Sequence, residues 1–314
     1  MVYQSSTAWV CAVSVATVWT SPDSPREIDA PGLENPVKLN KWLEQLPFEP
    51  RLDLCDGNRV QTQLLYGEQV HVEEINGEWA KIIALWQPSK KDERGYPGWV
   101  PIAQLKEVVR PSNFGYAKVV SSRAQLFSQD RTPLMVLPLN TILPILSEDD
   151  PFTVVQTPDG EALLYNDDIE KAPSIEAFRK GDGLDVIASA SKFLDLPYFW
   201  GGMSTYGYDC SGFSYNMLKA HGHFIPRDAG DQAKNGKEIS VEDSTAWQFG
   251  DLLFFAYEEG KGKLHHVGIY YGNGQMIHSP HTGKSVEIIN LKGTVYEKEL
   301  CAVRRYVNNE GAMI

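Results

Sequence analysis

The chain has 314 residues, 42% of them hydrophobic and 22% charged, an ordinary globular composition with length for two or three domains. A formal charge of −12 repels polyanions, so nucleic acid and an anionic wall polymer are poor partners and a small soluble substrate is easier to accept. No apolar run is long enough to span a bilayer, so no membrane is implied.

The N-terminal stretch "MVYQSSTAWVCAVSVATVW" has no Lys or Arg and no uninterrupted apolar core, so it predicts no signal peptide. Its alternation through "VCAVSVATVW" predicts a first strand. On this reading the chain is cytoplasmic, and secreted only if a leader is removed ahead of residue 1. In "NPVKLNKWLEQLP", Asn35 as cap and Pro36 at the first helical position predict a short helix with Val37, Leu39, Trp42, Leu43 and Leu46 on its apolar face. "EQVHVEEINGEWAKIIAL" alternates on both sides of Asn76-Gly77 and predicts a hairpin, and "GYPGWVPIAQL" leads into another strand. "NTILPILSEDDPFTVVQTPDGEALLYNDDI" repeats the scheme more loosely, with a turn at Asp159-Gly160. Two small β-barrels in tandem follow, over 1–110 with a helical insertion near 20–52, and over 111–172.

From residue 173 to 314 the pattern changes. "GLDVIASASKFLDLP" and "DCSGFSYNMLKAHG" have helical spacing, the second ending at Gly222. "DLLFFAY", "HHVGIYYG", "GQMIHSP" and "CAVRRYV" read as strands, giving helices followed by an antiparallel sheet, an α+β domain.

The four cysteines form no CxxC pair, and a chain of this size folds without disulfides. Cys11 and Cys301 lie in apolar strand-like runs as small hydrophobes. Cys210 is different. Asp209 is placed to cap a helix whose first turn holds Cys210, where the helix dipole favours a thiolate. A buried structural thiol is the competing reading.

A nucleophilic thiol also needs a base and a group that orients the base. Of seven histidines, His221 and His223 sit too far along the same helix and His71 lies in the first barrel. His265, His266, His278 and His281 flank one hairpin. If its loop is Asn273-Gly274 alone, His278 shares a face with His265. If the loop is Gly272-Asn273-Gly274 with a bulge, His278 faces Gly268 and becomes a diagonal neighbour of His266, about 7 Å away between backbones. The residues alone leave both registers open. They also admit a zinc site built from Cys210, His266 and His278 with Asp209.

The pieces "YFWGG", "DCSGF", "PRDAGDQ", "FGDLLFF" and "HHVGIYYGNGQMIHSP" resemble the NlpC/P60 family, papain-like cysteine peptidases acting on bacterial cell-wall peptides. "YGEQVHVEEINGEWAKI" followed by "GWVP" is similar to bacterial SH3-like (SH3b) domains. The resemblance implies Cys210 as nucleophile, His266 as base and His278 as orienting residue, with no cofactor and no metal. It places Trp200, Ser211, Arg227 and Asp228 along the site, Arg227 also being a candidate structural ion-pair partner. SH3b domains ahead of this peptidase resemble the γ-D-glutamyl-L-diamino acid endopeptidases. That subgroup implies muropeptide substrates with a free N-terminal L-Ala, cut before L-Lys or meso-diaminopimelate, and a role in recycling. Asp209 is then the first candidate for holding the substrate ammonium. Tyr96, an aromatic expected to be exposed in a turn, with packing against the neighbouring domain as its competing reading, and Glu68, with a solvated turn carboxylate as its competing reading, are further candidates. The alternatives are a secreted hydrolase of intact wall and a zinc-dependent amidase.

Overall fold

The computed structural model describes residues 7–109 and 114–307. Contacts divide the chain into two compact units. The first runs to Phe178 without Gln87–Lys90 and takes in Ser204–Tyr206; the second holds Gln87–Lys90, Arg179–Met203 and the chain from Gly207 onward. No described helix is long and apolar enough to cross a membrane.

The first unit carries two seven-stranded antiparallel sheets. In spatial order the first is Val60–Leu65, Val15–Trp19, Tyr96–Pro101, Trp79–Ala84, Gln69–Asn76, Thr7–Cys11 and Leu105–Val109. The second is Pro133–Pro138, Arg123–Phe127, Gly160–Tyr165, Phe152–Thr157, Ile142–Asp149, Tyr116–Val119 and Ile169–Ala172. Numbered within each sheet, both orders are 3-2-6-5-4-1-7, so the looser sequence echo is a full topological repeat. Tyr66, in the turn between strands Val60–Leu65 and Gln69–Asn76 of the first sheet, packs into the second sheet's core and donates its hydroxyl to Asp159 Oδ2 at 3.1 Å.

Several local expectations shift. "VCAVSVATVW" forms two strands, Thr7–Cys11 and Val15–Trp19, rather than one. The hairpin loops are Gly77-Glu78 and Pro158-Asp159, each one residue from Asn76-Gly77 and Asp159-Gly160, because Asn76 pairs with Trp79 and Thr157 with Gly160. The helix begins at Leu39 with Lys38 as its cap, while Asn35 Nδ2 instead reaches Ala103 O at 2.7 Å. A second helix, Phe48–Asp56, extends the insertion.

The second unit is helices on a six-stranded antiparallel sheet, as the composition of its segments predicts. The order is Lys237–Ile239, Leu300–Arg305, Leu252–Ala256, Leu264–Gly272, Gln275–His278 and Glu287–Asn290. The two edge strands are too short and weakly patterned to stand out in the sequence. Helix Gly183–Ser191 is capped by Asp182, whose side chain accepts from Leu184 N and Asp185 N. Helix Cys210–Ala220 packs on strand Leu264–Gly272, and Phe213 of that helix and Phe254 and Phe255 of strand Leu252–Ala256 are fully buried, Phe255 in the cluster that holds Leu253, Tyr270 and Val303. Each such ring contributes roughly 1.5–3 kcal/mol by leaving water. Helix and sheet thereby fix the chain's candidate nucleophile against its candidate base.

Candidate active site

Asp209 has extended backbone and accepts Gly212 N–H on Oδ1 at 2.6 Å, so the helix starts at Cys210 as expected from its cap. Gly212 is required there, since a Cβ would lie 2.1 Å from Gly202 O. The same carboxylate accepts Gly201 N–H on Oδ2 at 2.9 Å and both arms of Arg227, Nη1 at 3.2 Å and Nη2 at 2.6 Å. Ser211 Oγ lies 3.3 Å from Oδ1 and accepts Arg227 Nη1 at 2.9 Å. Asp209 is thus a rigidly held anion one residue from the thiol.

The hairpin turns on Asn273-Gly274, both in left-handed backbone, with Gly272 opposite Gln275. A bulge at Tyr271 follows, so that Tyr270 pairs with Met276 and Ile269 with Ile277. The loop is two residues, not three, yet the bulge yields the register in which Gly268 stands opposite His278. A Cβ on Gly268 would sit 2.6 Å from Met276 Sδ and 3.3 Å from His278 Cβ, so the glycine makes room for the imidazole. His266 and His278 come together, Nε2 to Nδ1 at 2.7 Å, both side chains buried. His265 points elsewhere, with Nε2 at 3.0 Å from Glu299 Oε2 and its ring stacked on Tyr257 at 4.1 Å. His281 Nδ1 is paired with Thr282 O.

The backbone N–H of Val267, the residue after His266, acts on the Cys210 thiol and favours its ionised form. This sets the thiol beside the base strand. With His266 Nε2 engaged by His278, Nδ1 is the ring nitrogen left to exchange a proton.

The electrostatics differ from the expected lowered thiol. Cys210 is partly accessible, but the packing around it pushes the thiol up to about 12, and the Asp209 carboxylate pushes the same way. Burial, with the charges of His278, His265 and His281, holds His266 well below its usual range, and burial brings His278 down to about 3. Desolvation outweighs the helix dipole, whose favourable effect is modest. The resting pair is therefore neutral thiol and neutral imidazole.

The other expected site residues are distributed unevenly. Arg227 does not line an open surface: it is 1% exposed and its guanidinium is spent on Asp209 and Ser211, the structural ion-pair alternative. Asp228 stands at the start of the short helix Ala229–Gln232, and Trp200 is half-buried ahead of Gly201. Glu68 and Tyr96 belong to the first unit. Tyr96 is buried rather than exposed, packed in the first sheet's core, with Lys91 on its ring and at its hydroxyl. Glu68 is buried rather than solvated, and its Oε2 accepts Leu65 N–H at 3.0 Å. Among the described residues no group of three or more His, Cys, Asp or Glu is placed to hold a metal ion. The facing nitrogens of His266 and His278 are joined to each other, which takes them out of a shared ligand set.

Sequence reading missed Tyr296, on helix Val295–Glu299. Its ring stands edge-on to His278 at 5.4 Å and tilted over His266 at 5.2 Å. Burial, followed by the charge of Cys210, raises its hydroxyl to about 12, so it stays neutral. An isolated Tyr in "GTVYEKEL" carries no pattern that would have found it.

The family comparisons agree with this layout. Residues 195–305 match the NlpC/P60 family, 119–171 the YKFC SH3b2 domain, and 56–105 the bacterial dipeptidyl-peptidase Sh3 domain. The chain is 47% identical to the gamma-D-glutamyl-L-lysine dipeptidyl-peptidase of Bacillus subtilis (strain 168), over 93% of this chain and 96% of that protein. It is 40% identical to the Bacillus cereus (strain ATCC 10987) protein of the same name, over 94% of this chain and 90% of that one. The crystal structure of an NlpC/P60 family protein from Bacillus cereus ATCC 10987 superposes with a TM-score of 0.89, at 40% identity, over 96% of this chain and all of that one. With identity of this order along nearly the whole chain, and the two SH3 matches lying ahead of the peptidase match, the chain belongs to the NlpC/P60 family as a cysteine peptidase that carries two N-terminal bacterial SH3 domains.

Proposed function

We propose that the chain removes L-Ala-γ-D-Glu from muropeptides by hydrolysing the bond between γ-D-Glu and L-Lys or meso-diaminopimelate, in the recycling of wall peptides. The observation that carries the mechanism is the His266–His278 contact at 2.7 Å on the strand pair beside Cys210. The relatives that match along nearly the whole chain are named for the γ-D-glutamyl-L-lysine bond, which supports the substrate reading.

His266 Nδ1 takes the thiol proton as Cys210 Sγ attacks the γ-carbonyl of D-Glu. The C–S bond forms, and the carbonyl oxygen becomes an oxyanion next to the N-terminal amides of helix Cys210–Ala220, whose first N–H groups have no intrahelical acceptor. His266 then protonates the departing amine and the C–N bond breaks, leaving an acyl-enzyme. Water, deprotonated by His266, releases the dipeptide and restores the thiol. Because the resting pair is neutral, proton transfer accompanies attack rather than preceding it. His278 holds the His266 ring in orientation throughout.

Asp209 is the residue of the second unit read as the partner of the substrate ammonium. A cation beside it would cancel part of the push that this carboxylate exerts on the thiol. The test compares L-Ala-γ-D-Glu-L-Lys with its N-acetylated form. A large loss of kcat/KM on acetylation supports the free-amine reading; equal cleavage overturns it. Loss of all hydrolysis in Cys210→Ala, with the fold intact, is the expected companion result.

A further inference from the structure

The His266–His278 contact fixes more than a distance. For His266 Nδ1 to accept a proton, its Nε2 must carry the hydrogen and donate it to His278 Nδ1. His278 must then be protonated on Nε2. That atom is buried and has no hydrogen-bond partner. The reverse tautomer, with Nδ1–H of His278 donating, would put the hydrogen of His266 on Nδ1 and remove the base. Something at Nε2 of His278 must decide between the two.

Glu287 stands directly across the strand pair from His278, and its Oε1 lies 3.7 Å from His278 Nε2. This is longer than a hydrogen bond, and a small side-chain rotation closes it. The carboxylate is 41% exposed and free to make that rotation, whereas the imidazole is 1% exposed and fixed. The other groups around His278 cannot do the same. His266 occupies Nδ1, Tyr296 presents a ring edge, and His281 is turned to Thr282 O and repels positive charge. Asp185 of the helix packed on this strand is paired with Arg179, and Cys210 faces the His266 strand.

We propose that Glu287 is a positioning residue that extends the relay to Cys210–His266–His278–Glu287, accepting Nε2–H of His278 and so setting the tautomer that makes His266 a base. Its negative charge also stabilises the imidazolium formed as the thiol proton moves, the task an aspartate performs directly in other triads. The inference rests on the proposed reading of Cys210 and His266 as the reacting pair.

The test uses the full chain, with Glu287→Gln and Glu287→Leu. Gln keeps an acceptor for Nε2–H but removes the charge; Leu removes both. On L-Ala-γ-D-Glu-L-Lys, kcat is expected to fall in the order wild type, Gln, Leu, by about tenfold at the first step, with KM little changed. Removing the carboxylate lowers the affinity of the imidazole pair for a proton, so the acid limb of kcat/KM should move to lower pH in Glu287→Gln. Nitrogen NMR of labelled histidine should find His278 as the Nε2–H tautomer in the wild type and as a mixture in Glu287→Leu. An acid limb that stays in place in Glu287→Gln overturns the proposal, whatever happens to kcat. So does a His278 tautomer that is unchanged in Glu287→Leu. If the wild type leaves the tripeptide intact, the substrate reading fails, while the tautomer measurement still decides the role of Glu287.

Discussion

Arg227 grips Asp209 with both guanidinium nitrogens, at 2.6 and 3.2 Å, directly beneath the start of the Cys210 helix. Both side chains are almost completely buried. Breaking such a pair by removing one partner leaves an uncompensated charge and costs about 3–5 kcal/mol. Arg227→Met should therefore lower the melting temperature strongly. Arg227→Lys should recover only part of that loss, because an ammonium cannot reproduce the fork. Arg227 also draws the thiol down through its charge, so Arg227→Met should show slower alkylation of Cys210 at neutral pH among molecules that remain folded, and Arg227→Lys, which keeps the charge, a smaller change. Thermal melts and iodoacetamide kinetics check the two halves separately.

The depressed imidazoles make acid stability a readout of the site. In the folded chain His278 titrates at about 3, below its ordinary 6.5. The unfolded chain therefore binds the proton first as pH falls, and stability is lost progressively from about 6.5 downward. Between pH 7 and pH 5, His278 alone should remove about 2 kcal/mol of stability. His266 shifts in the same direction and adds to the slope. Urea unfolding at pH 7 and pH 5 should show a shallower fall in His278→Asn than in the wild type. Equal falls would mean that His278 titrates near its ordinary value in the folded chain.

Gly268 tests whether the register itself matters. A side chain there meets Met276 Sδ at 2.6 Å and His278 Cβ at 3.3 Å. The Met side chain can yield, but His278 can yield only by leaving its contact with His266. Gly268→Ala should cost about 1–3 kcal/mol in stability from overpacking. It should also lower kcat more than tenfold, with KM nearly unchanged, as about 1.4 kcal/mol of transition-state stabilisation per decade is lost. Steady-state kinetics at a temperature well below the melting transition separate the two effects.

Much of this arrangement is visible in the chain before folding. The Asp209 cap, the helix after it and the strands around "HHVGIYYGNGQMIHSP" follow from capping chemistry and alternation, which act over a few residues. The register between His266 and His278 does not. It is set by a bulge at Tyr271 that places one extra residue on one strand, and "YYGNG" permits both outcomes. Burial is equally hard to read from sequence. Tyr96 sits between glycine and proline, which suggests an exposed turn, yet it lies in a strand and in the core of the first sheet. The helix terminus predicts a lowered thiol, but a local dipole says nothing of the desolvation supplied by distant segments. Tyr296 and Glu287 lie on a five-residue helix and a four-residue edge strand, lengths at which periodicity carries no signal.

Tyr296 supplies the last test, because it separates shielding from charge. Its ring lies over His266 at 5.2 Å and edge-on to His278 at 5.4 Å, and its hydroxyl is neutral at all working pH values. If the ring acts as a wall that keeps water from the imidazoles, Tyr296→Phe should retain most activity and leave the pH profile in place. Tyr296→Ala opens the wall. Rehydration removes part of the desolvation that holds His266 low, so its affinity for a proton rises toward the ordinary value. The acid limb of kcat/KM should then move to higher pH, opposite in sign to the shift expected for Glu287→Gln. A limb that moves down in Tyr296→Ala, or that moves already in Tyr296→Phe, would show that the hydroxyl and not the ring acts on the histidines.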